Sequence, residues 1–348
     1  MAKHDLGDLE AIRLKLESWL RTHLDNASDL VLGDLNFPEE SGESSVTLIL
    51  RAQHHGEPLG LICRMEPPNS QVFDEHDIAL QYRMMHMAGQ NGIPVPPLLG
   101  LEEDASLLGS PFYIMGFVDG QVPTDNPPYA FGSWVTELTA NERATMWRNG
   151  LQALAKIHQI DLASVDVSDI PVSHEDDSPA QCELDKYNAM FTDEIRKRMP
   201  ATFGRAVEYL NANAPKGGEQ HLCWGDSRVG NIIWKDLKPA AVIDWEMVNI
   251  GDPVQEVSWW YWIDYVNSVG LGVERLEGLP SLRELYDSWH AITGFSTEHS
   301  DYYDLFALVR YGIILEKKLV AMESAGLGTI GNFCVPIAEQ QLEKLGAS

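Results

Sequence analysis

Residues His221 to Trp260 read HLCWGDSRVGNIIWKDLKPAAVIDWEMVNIGDPVQEVSWW. Two short apolar runs, Asn231-Ile232-Ile233-Trp234 and Ala241-Val242-Ile243, flank the turn-forming Lys235-Asp236-Leu237-Lys238-Pro239. Apolar strand formers on either side of such a turn predict a hairpin. Asp226 follows Gly225 in the loop leading in, Asn231 stands before the first strand, and Asp244 ends the second. The hairpin is expected to bring Asn231 and Asp244 close together, with Asp226 beside them. Two carboxylates and one amide oxygen form a hard-oxygen site. Such a site suits Mg²⁺, which takes few protein ligands and completes its shell with phosphate oxygens and water.

The same residues have the spacing of kinase machinery: an Asp base, an Asn five positions on that holds Mg²⁺, then a second metal-binding Asp. Here the first pair lies in Asp226-Ser227-Arg228-Val229-Gly230-Asn231 and the last in Ile243-Asp244-Trp245-Glu246, with Gly251-Asp252-Pro253 following. Together with Trp224-Gly225-Asp226, these motifs resemble the aminoglycoside phosphotransferase-like family of small-molecule kinases. Within it they resemble in particular the acyl-CoA-dehydrogenase-associated phosphotransferases. Each motif alone is weak; three in order at family spacing are specific.

The resemblance implies an α+β, bilobal protein-kinase-like fold. A small N-terminal lobe (1–115), with five antiparallel strands and one main helix, would bind nucleotide. A larger, mainly helical C-terminal lobe (116–348) would carry catalysis and the substrate, with ATP between the two. It implies Asp226 as the residue that orients the substrate hydroxyl and finally accepts its proton. It also implies Asn231 and Asp244 as Mg²⁺ ligands, and Arg228 as a stabiliser of transition-state charge. For the nucleotide it implies Ser41, Gly42 and Ser44 in a loop over the phosphates. Arg64 would grip the α- and β-phosphates, and the backbone from Met115 to Phe117 would be a hinge that bonds adenine. Asp252 is expected to brace the catalytic loop. Two positions depart from the family's pattern. Gln81 replaces a Glu, so that a hydrogen bond would stand in for the usual ion pair. Trp224 replaces a His, and its indole keeps one N–H donor.

Outward from this stretch, Leu9, Ile12, Leu16, Trp19 and Leu20 recur at helical spacing and predict an amphipathic helix. Residues 30–32, 46–50 and 59–64 read as strands of an antiparallel meander, Ile78, Tyr82 and Met85 as one helix face, and 111–115 as a buried strand. Beyond Pro123 helical periodicity prevails, with Trp147, Leu151, Leu154 and Ile157 on one face. A chain of 348 residues with 44% apolar residues can bury a large core over two domains. Its 25 Lys+Arg against 52 Asp+Glu give a net charge of −27, which argues against nucleic-acid and membrane partners. No apolar run approaches the ~20 residues that cross a bilayer. The start Met1-Ala2-Lys3-His4-Asp5 lacks the apolar stretch of a signal peptide. Cys63, Cys182, Cys223 and Cys334 form no CxxC pair and fit a reducing, cytoplasmic setting.

The function these residues imply is ATP- and Mg²⁺-dependent phosphorylation of a hydroxyl on a small molecule. The alternative is a catalytically silent nucleotide- or ligand-binding protein of the same fold. Gln81 and Trp224 favour the alternative, and the intact Asp226, Asn231 and Asp244 oppose it. A protein kinase is disfavoured, because no A-P-E motif or activation loop separates Asp244 from Asp252. Trp260, Tyr261 and Asp264 are expected to wall the acceptor site. Such a wall suits a neutral hydroxylated molecule or, through cation–π contact, an amine. The net charge leans toward the amine, and the resemblance puts a neutral or acyl-type acceptor first. Trp259 and Trp262 are expected in the core, His54 and His55 in a solvated turn, and His174-Glu175-Asp176-Asp177 in a surface loop.

Overall fold

The computed structural model describes residues 8–38, 45–66, 77–170, 178–217, 220–324, 326 and 331–347. Ser41, Gly42 and Ser44, and the run from His174 to Asp177, lie outside the described residues. The chain forms two compact units. One is Met1–Asp119 with Ala241–Glu246, and the other is Gly120–Ala240 with Met247–Ser348.

The first unit opens with α1 (Leu9–His23), where the Asp8 side chain accepts the N–H groups of Glu10 and Ala11. That cap satisfies donors which a helix start leaves unpaired. Then come β1 (Val31–Leu32), β2 (Val46–His54), β3 (Glu57–Met65), α2 (Ile78–Gln90), β4 (Leu98–Glu102) and β5 (Phe112–Gly116). The strands make one antiparallel sheet in the order β1-β2-β3-β5-β4. Val46, Leu48, Leu50 and Ala52 alternate onto the buried face of β2. They share a core with Leu16, Trp19 and Leu20 of α1 and with Phe112 and Ile114 of β5. β2 and β3 run further than their apolar residues predict. Their ladder continues to His54↔Glu57 and closes in a turn with His55 and Gly56 at φ 54° and 77°. Two consecutive left-handed residues match the twist of a two-residue hairpin. The segment 241–246 belongs to this unit, and there the Val242 N–H donates to Pro94 O at 2.7 Å.

The second unit holds α3 (Trp134–Glu137), α4 (Ala140–His158), α5 (Pro179–Ala189), α6 (Asp193–Arg198), α7 (Ala201–Asn213), β6 (His221–Cys223) and β7 (Ile232–Lys235). β8 (Lys238–Val242) begins in it, and β9 (Asn249–Gly251), α8 (Val254–Val266), α9 (Leu282–Thr293), α10 (Ser300–Ser324) and α11 (Val335–Lys344) complete it. β6 pairs with β9, and β7 with β8. The predicted hairpin is present with a tighter turn. Only Asp236 and Leu237, at φ 51° and 59°, make the reversal, and Lys238 and Pro239 are already strand. α8 is apolar on nearly every face and buried along most of its length, as a helix at the centre of a core must be. It packs on α9 and α10. No helix among the described residues is long and apolar enough to cross a membrane.

α10 carries a buried carboxylate that makes the core sensitive to pH. Asp304 Oδ1 accepts the Tyr286 hydroxyl at 2.6 Å and the Trp262 indole N–H at 2.9 Å. Burial nevertheless pushes this carboxyl up from 3.8 to about 6. A raised folded value means the folded chain keeps a proton that the unfolded chain releases. The contribution is therefore full below the ordinary value and is lost as pH rises through about 6. Asp304→Asn is predicted to flatten that loss. Urea unfolding of both proteins across this window checks it; equal slopes of stability against pH would contradict the assignment.

Candidate active site

The loop after β6 is held from beneath by one carboxylate. Glu256, in the first turn of α8, is fully buried. Its Oε2 accepts the backbone N–H of Trp224 at 2.7 Å, and its Oε1 that of Gly225 at 2.6 Å. His158 Nε2, at the end of α4, lies 2.9 Å from Oε2. The Trp289 indole donates to His158 Nδ1 at 2.9 Å, so Nε2 carries the proton that points to Glu256. Ser227 Oγ adds a bond to the Glu256 carbonyl at 3.0 Å. Gly225 sits at φ 96°, and a Cβ there would lie 2.0 Å from Met247 O. Only glycine fits this turn.

The turn delivers Asp226. Its Oδ2 accepts Asn231 Nδ2 at 2.7 Å and Arg228 Nε at 3.0 Å. Its Oδ1 accepts the Trp259 indole N–H at 2.8 Å. Burial pushes the Asp226 carboxyl up, but the Arg228 charge and these bonds outweigh it and hold the group below the ordinary carboxylate range. Asn231 Nδ2 also donates to Asp226 O at 3.0 Å, which leaves the amide oxygen as its ligand atom. Arg228 bridges Asp226 to Asp125, its Nη1 lying 2.6 Å from Asp125 Oδ1.

Beside Arg228 lies a pocket lined by Asp125, Tyr129, Arg228, Trp260, Ile263 and Asp264, among others. Asp264 Oδ2 takes Arg275 at 2.6 Å, and burial raises its carboxyl above the usual range against that arginine. Trp260 Nε1, Tyr129 Oη and Asp264 Oδ1 are buried with no hydrogen-bond partner among the described residues. Tyr261, expected beside Trp260, does not line this pocket. It stacks on Tyr265 and lies under Arg275, 4.6 Å from the ring centroid, because successive residues of a helix point to different faces.

Asp244 and Arg64 belong to the first unit. Asp244 holds the left-handed φ of 62°, a conformation that few residues besides Gly, Asn and Asp adopt. Arg64 Nη2 lies 3.7 Å from Asp244 Oδ1. Burial opposes the Arg64 charge, yet Tyr113, Asp244 and Glu246 prevail and raise its pKa. A carboxylate such as Asp244 and an amide oxygen such as Asn231 are each hard donors of the kind Mg²⁺ takes. Three expectations need correction. Gln81 is buried and its side-chain amide makes no hydrogen bond among the described residues, so it does not stand in for the usual ion pair. The Phe117 N–H donates to Gly60 O at 2.9 Å, and Gly116 N–H to Pro97 O at 2.7 Å, so neither donor points to a base. Met115 is buried within β5, and Phe117 offers an exposed ring. Asp252 pairs with His299 Nδ1 at 2.8 Å and accepts the Val254 N–H; the carboxylate that takes the loop amides is Glu256.

Glu256, Arg310 and Asp125 are missing from the sequence expectations, and Trp259 stands there only as a core residue. Glu256 and Arg310 do leave a trace in the sequence: each is a charge inside an apolar helix, which a core tolerates only with partners.

Comparison with known proteins shows the family and the fold. The model of a phosphotransferase enzyme family (APH) matches residues 41–288, and the chain belongs to that family. The chain has the kinase-like fold of its solved neighbours. It is 27% identical over 320 residues to acyl-CoA dehydrogenase family member 10 of Mus musculus, covering 88% of this chain and 28% of that protein. It is 23% identical over 345 residues to acyl-CoA dehydrogenase family member 11 of Pongo abelii, covering 94% and 42%. The chain thus spans less than half the length of these relatives. Among solved structures, a candidate aminoglycoside phosphotransferase from Ralstonia eutropha superposes with a TM-score of 0.71 at 20% identity, over 97% of both chains. Aminoglycoside phosphotransferase APH(4)-Ia, in a complex with AMP-PNP and hygromycin B, gives 0.56 at 15% identity, over 95% and 97%.

Glu256→Gln is predicted to destabilise the protein by about 3–5 kcal/mol, because an amide group replaces one carboxylate oxygen and faces an N–H donor. Chemical denaturation measures this; a midpoint equal to wild type would show that the loop does not depend on the carboxylate.

Proposed function

We propose that the protein transfers the γ-phosphoryl group of Mg·ATP to a hydroxyl of a small uncharged molecule. The observation that carries this reading is Asp226, an oriented carboxylate held ionised by Arg228 beside a partly buried pocket. The acceptor oxygen forms the new bond to phosphorus, and the bond to the bridging oxygen of ATP breaks. ADP leaves with that electron pair, and the hydroxyl proton passes to Asp226. Positioning and charge neutralisation supply most of the acceleration in such transfers. Mg²⁺, when bound, neutralises phosphate charge. Asn231 and Asp244 would hold it, Arg64 would grip the α- and β-phosphates, and Arg228 would stabilise charge on the transferred group. The phosphate-covering loop is assigned to Ser41, Gly42 and Ser44 by resemblance. The exposed Phe117 ring and the neighbouring Met115 would contact the base.

The AMP-PNP and hygromycin B bound to the APH(4)-Ia neighbour support a nucleotide and a small-molecule acceptor. Trp260 and Asp264 are assigned to the acceptor, and Tyr261 is not. The pocket's carboxylates each have an arginine: Asp125 has Arg228, and Asp264 has Arg275. A polycation would meet no unneutralised charge there, so the neutral acceptor comes first. Cys63, Cys223 and Cys334 are buried free thiols, in keeping with a cytoplasmic setting.

An ATP-consumption screen across classes of alcohol, with mass spectrometry for the phosphorylated product, tests the activity. Asp226→Asn is expected to lower turnover by about 10²–10⁴-fold while Mg·ATP still binds. Wild-type turnover in that variant would overturn Asp226 as the base, and no ATP consumption with any alcohol would leave the silent binding protein as the better reading. Asp244→Ala should abolish Mg²⁺-dependent nucleotide binding in calorimetry, and Asn231→Ala should weaken it less. Unchanged metal dependence in Asp244→Ala would contradict its role. Exposed charges are screened within about 10 Å at 0.1 M salt. The acceptor KM should therefore barely move between low and high ionic strength; a strong salt dependence would point to a cationic acceptor instead.

A further inference from the structure

We propose that Trp259 and Arg310 form a positioning pair that orients the Asp226 carboxylate for proton acceptance; this rests on Asp226 being the base. Asp226 Oδ2 is held by two side chains near it in sequence, Arg228 and Asn231. Oδ1 is held by the Trp259 indole N–H, which reaches it at 2.8 Å from the next helix, α8. Bonds on both oxygens fix the carboxylate's rotation, which bonds on one oxygen leave loose. Trp259 is 3% exposed, so water does not compete for that contact.

Arg310 supports the indole from behind. It is 1% exposed in the middle of α10, and no carboxylate pairs with it among the described residues. An isolated buried cation is strongly disfavoured, so what surrounds it must compensate. Its guanidinium lies 4.1 Å from the centroid of the Trp259 ring and 4.9 Å from that of Tyr187. Its Nη2 donates to Gly225 O at 2.8 Å. A cation on the face of an indole is attracted by the ring and draws electron density from it, which strengthens the N–H as a donor. Arg310 thus acts twice on adjacent residues: directly on the Gly225 carbonyl, and through Trp259 on the Asp226 carboxylate. Neither residue lines the acceptor pocket, and neither is assigned to substrate. Trp259 acts by fixing where the base stands, and misplacement by ~1 Å is enough to cost about 10²-fold in rate; the Arg310 charge in addition favours the ionised Asp226 carboxylate.

A double-mutant cycle on the full chain tests the pair. Trp259→Phe keeps an aromatic ring and removes the N–H. It is expected to lower kcat by about tenfold or more, with the KM for the acceptor and the Mg·ATP affinity by calorimetry within about twofold. In an Asp226→Asn background the same change should lower the residual kcat by less than about twofold, because the group it orients has been altered. Arg310→Met should lower kcat in the same way, and Arg310→Lys should restore part of it. Equal losses from Trp259→Phe in both backgrounds would show a merely structural role and overturn the inference. So would kcat within about twofold of wild type in the single variant, or nucleotide affinity falling in step with kcat. If Trp259→Phe fails to fold, benzothienylalanine at position 259 keeps the indole's shape without the N–H and is judged by the same outcomes. Wild-type turnover in Asp226→Asn would overturn the reading of the base itself, and with it this inference; an impaired Asp226→Asn with a fully active Trp259→Phe would overturn this inference alone.

Discussion

The carboxylate of Glu256 is the constraint on which the catalytic loop depends. It is wholly buried, and a buried charge survives only when donors surround it. Its donors are two consecutive backbone amides of the loop and the His158 ring. Moving the loop would orphan the carboxylate and both amides together. The arrangement also explains why Gly225 cannot be anything else. Both neighbouring N–H groups turn down to one side chain, which requires the left-handed backbone that presses this residue against Met247. His158 and Trp289 extend the same network into α4 and α9, so the helical core and the loop are one hydrogen-bonded body.

Within the second unit the site's charges are balanced locally. Arg228 lies between Asp226 and Asp125, Arg275 covers Asp264, and His299 meets Asp252. The surplus of acidic residues that dominates the composition is therefore not concentrated at these positions. Net charge describes how a chain behaves in solution and says little about a pocket whose acids are paired. This is why the whole-chain charge, read as favouring an amine, and the pocket chemistry point to different acceptors.

The assignments divide between the two units. Asn231 and Asp226, the proposed proton acceptor, belong to the helical unit, while Asp244 and Arg64 belong to the sheet unit. Asp244 reaches the latter because the chain from Ala241 to Glu246 associates with it, with the Val242 N–H on Pro94 O. Its backbone is left-handed, at φ 62°.

By itself the sequence determined the parts of this protein that are written in local pattern. The loop that carries Asp226 and the hairpin between Asn231 and Asp244 were legible, because a loop and a two-strand hairpin are short-range structures with their own residue preferences. Alternation in β2 and helical spacing in α1 set which faces are buried. Tertiary structure alone decided which distant side chains meet the site. Glu256, rather than Asp252, took the loop amides because α8 enters directly beneath the loop. Trp259, buried in the core as expected, also bonds Asp226, and Tyr261 turned away from the pocket that Trp260 lines. These four residues stand within six positions of one another on one helix. Which of them faces the loop, the pocket or the arginine depends on the helix's rotation against α9 and α10. That rotation is fixed by packing between segments far apart in sequence, which no local pattern encodes.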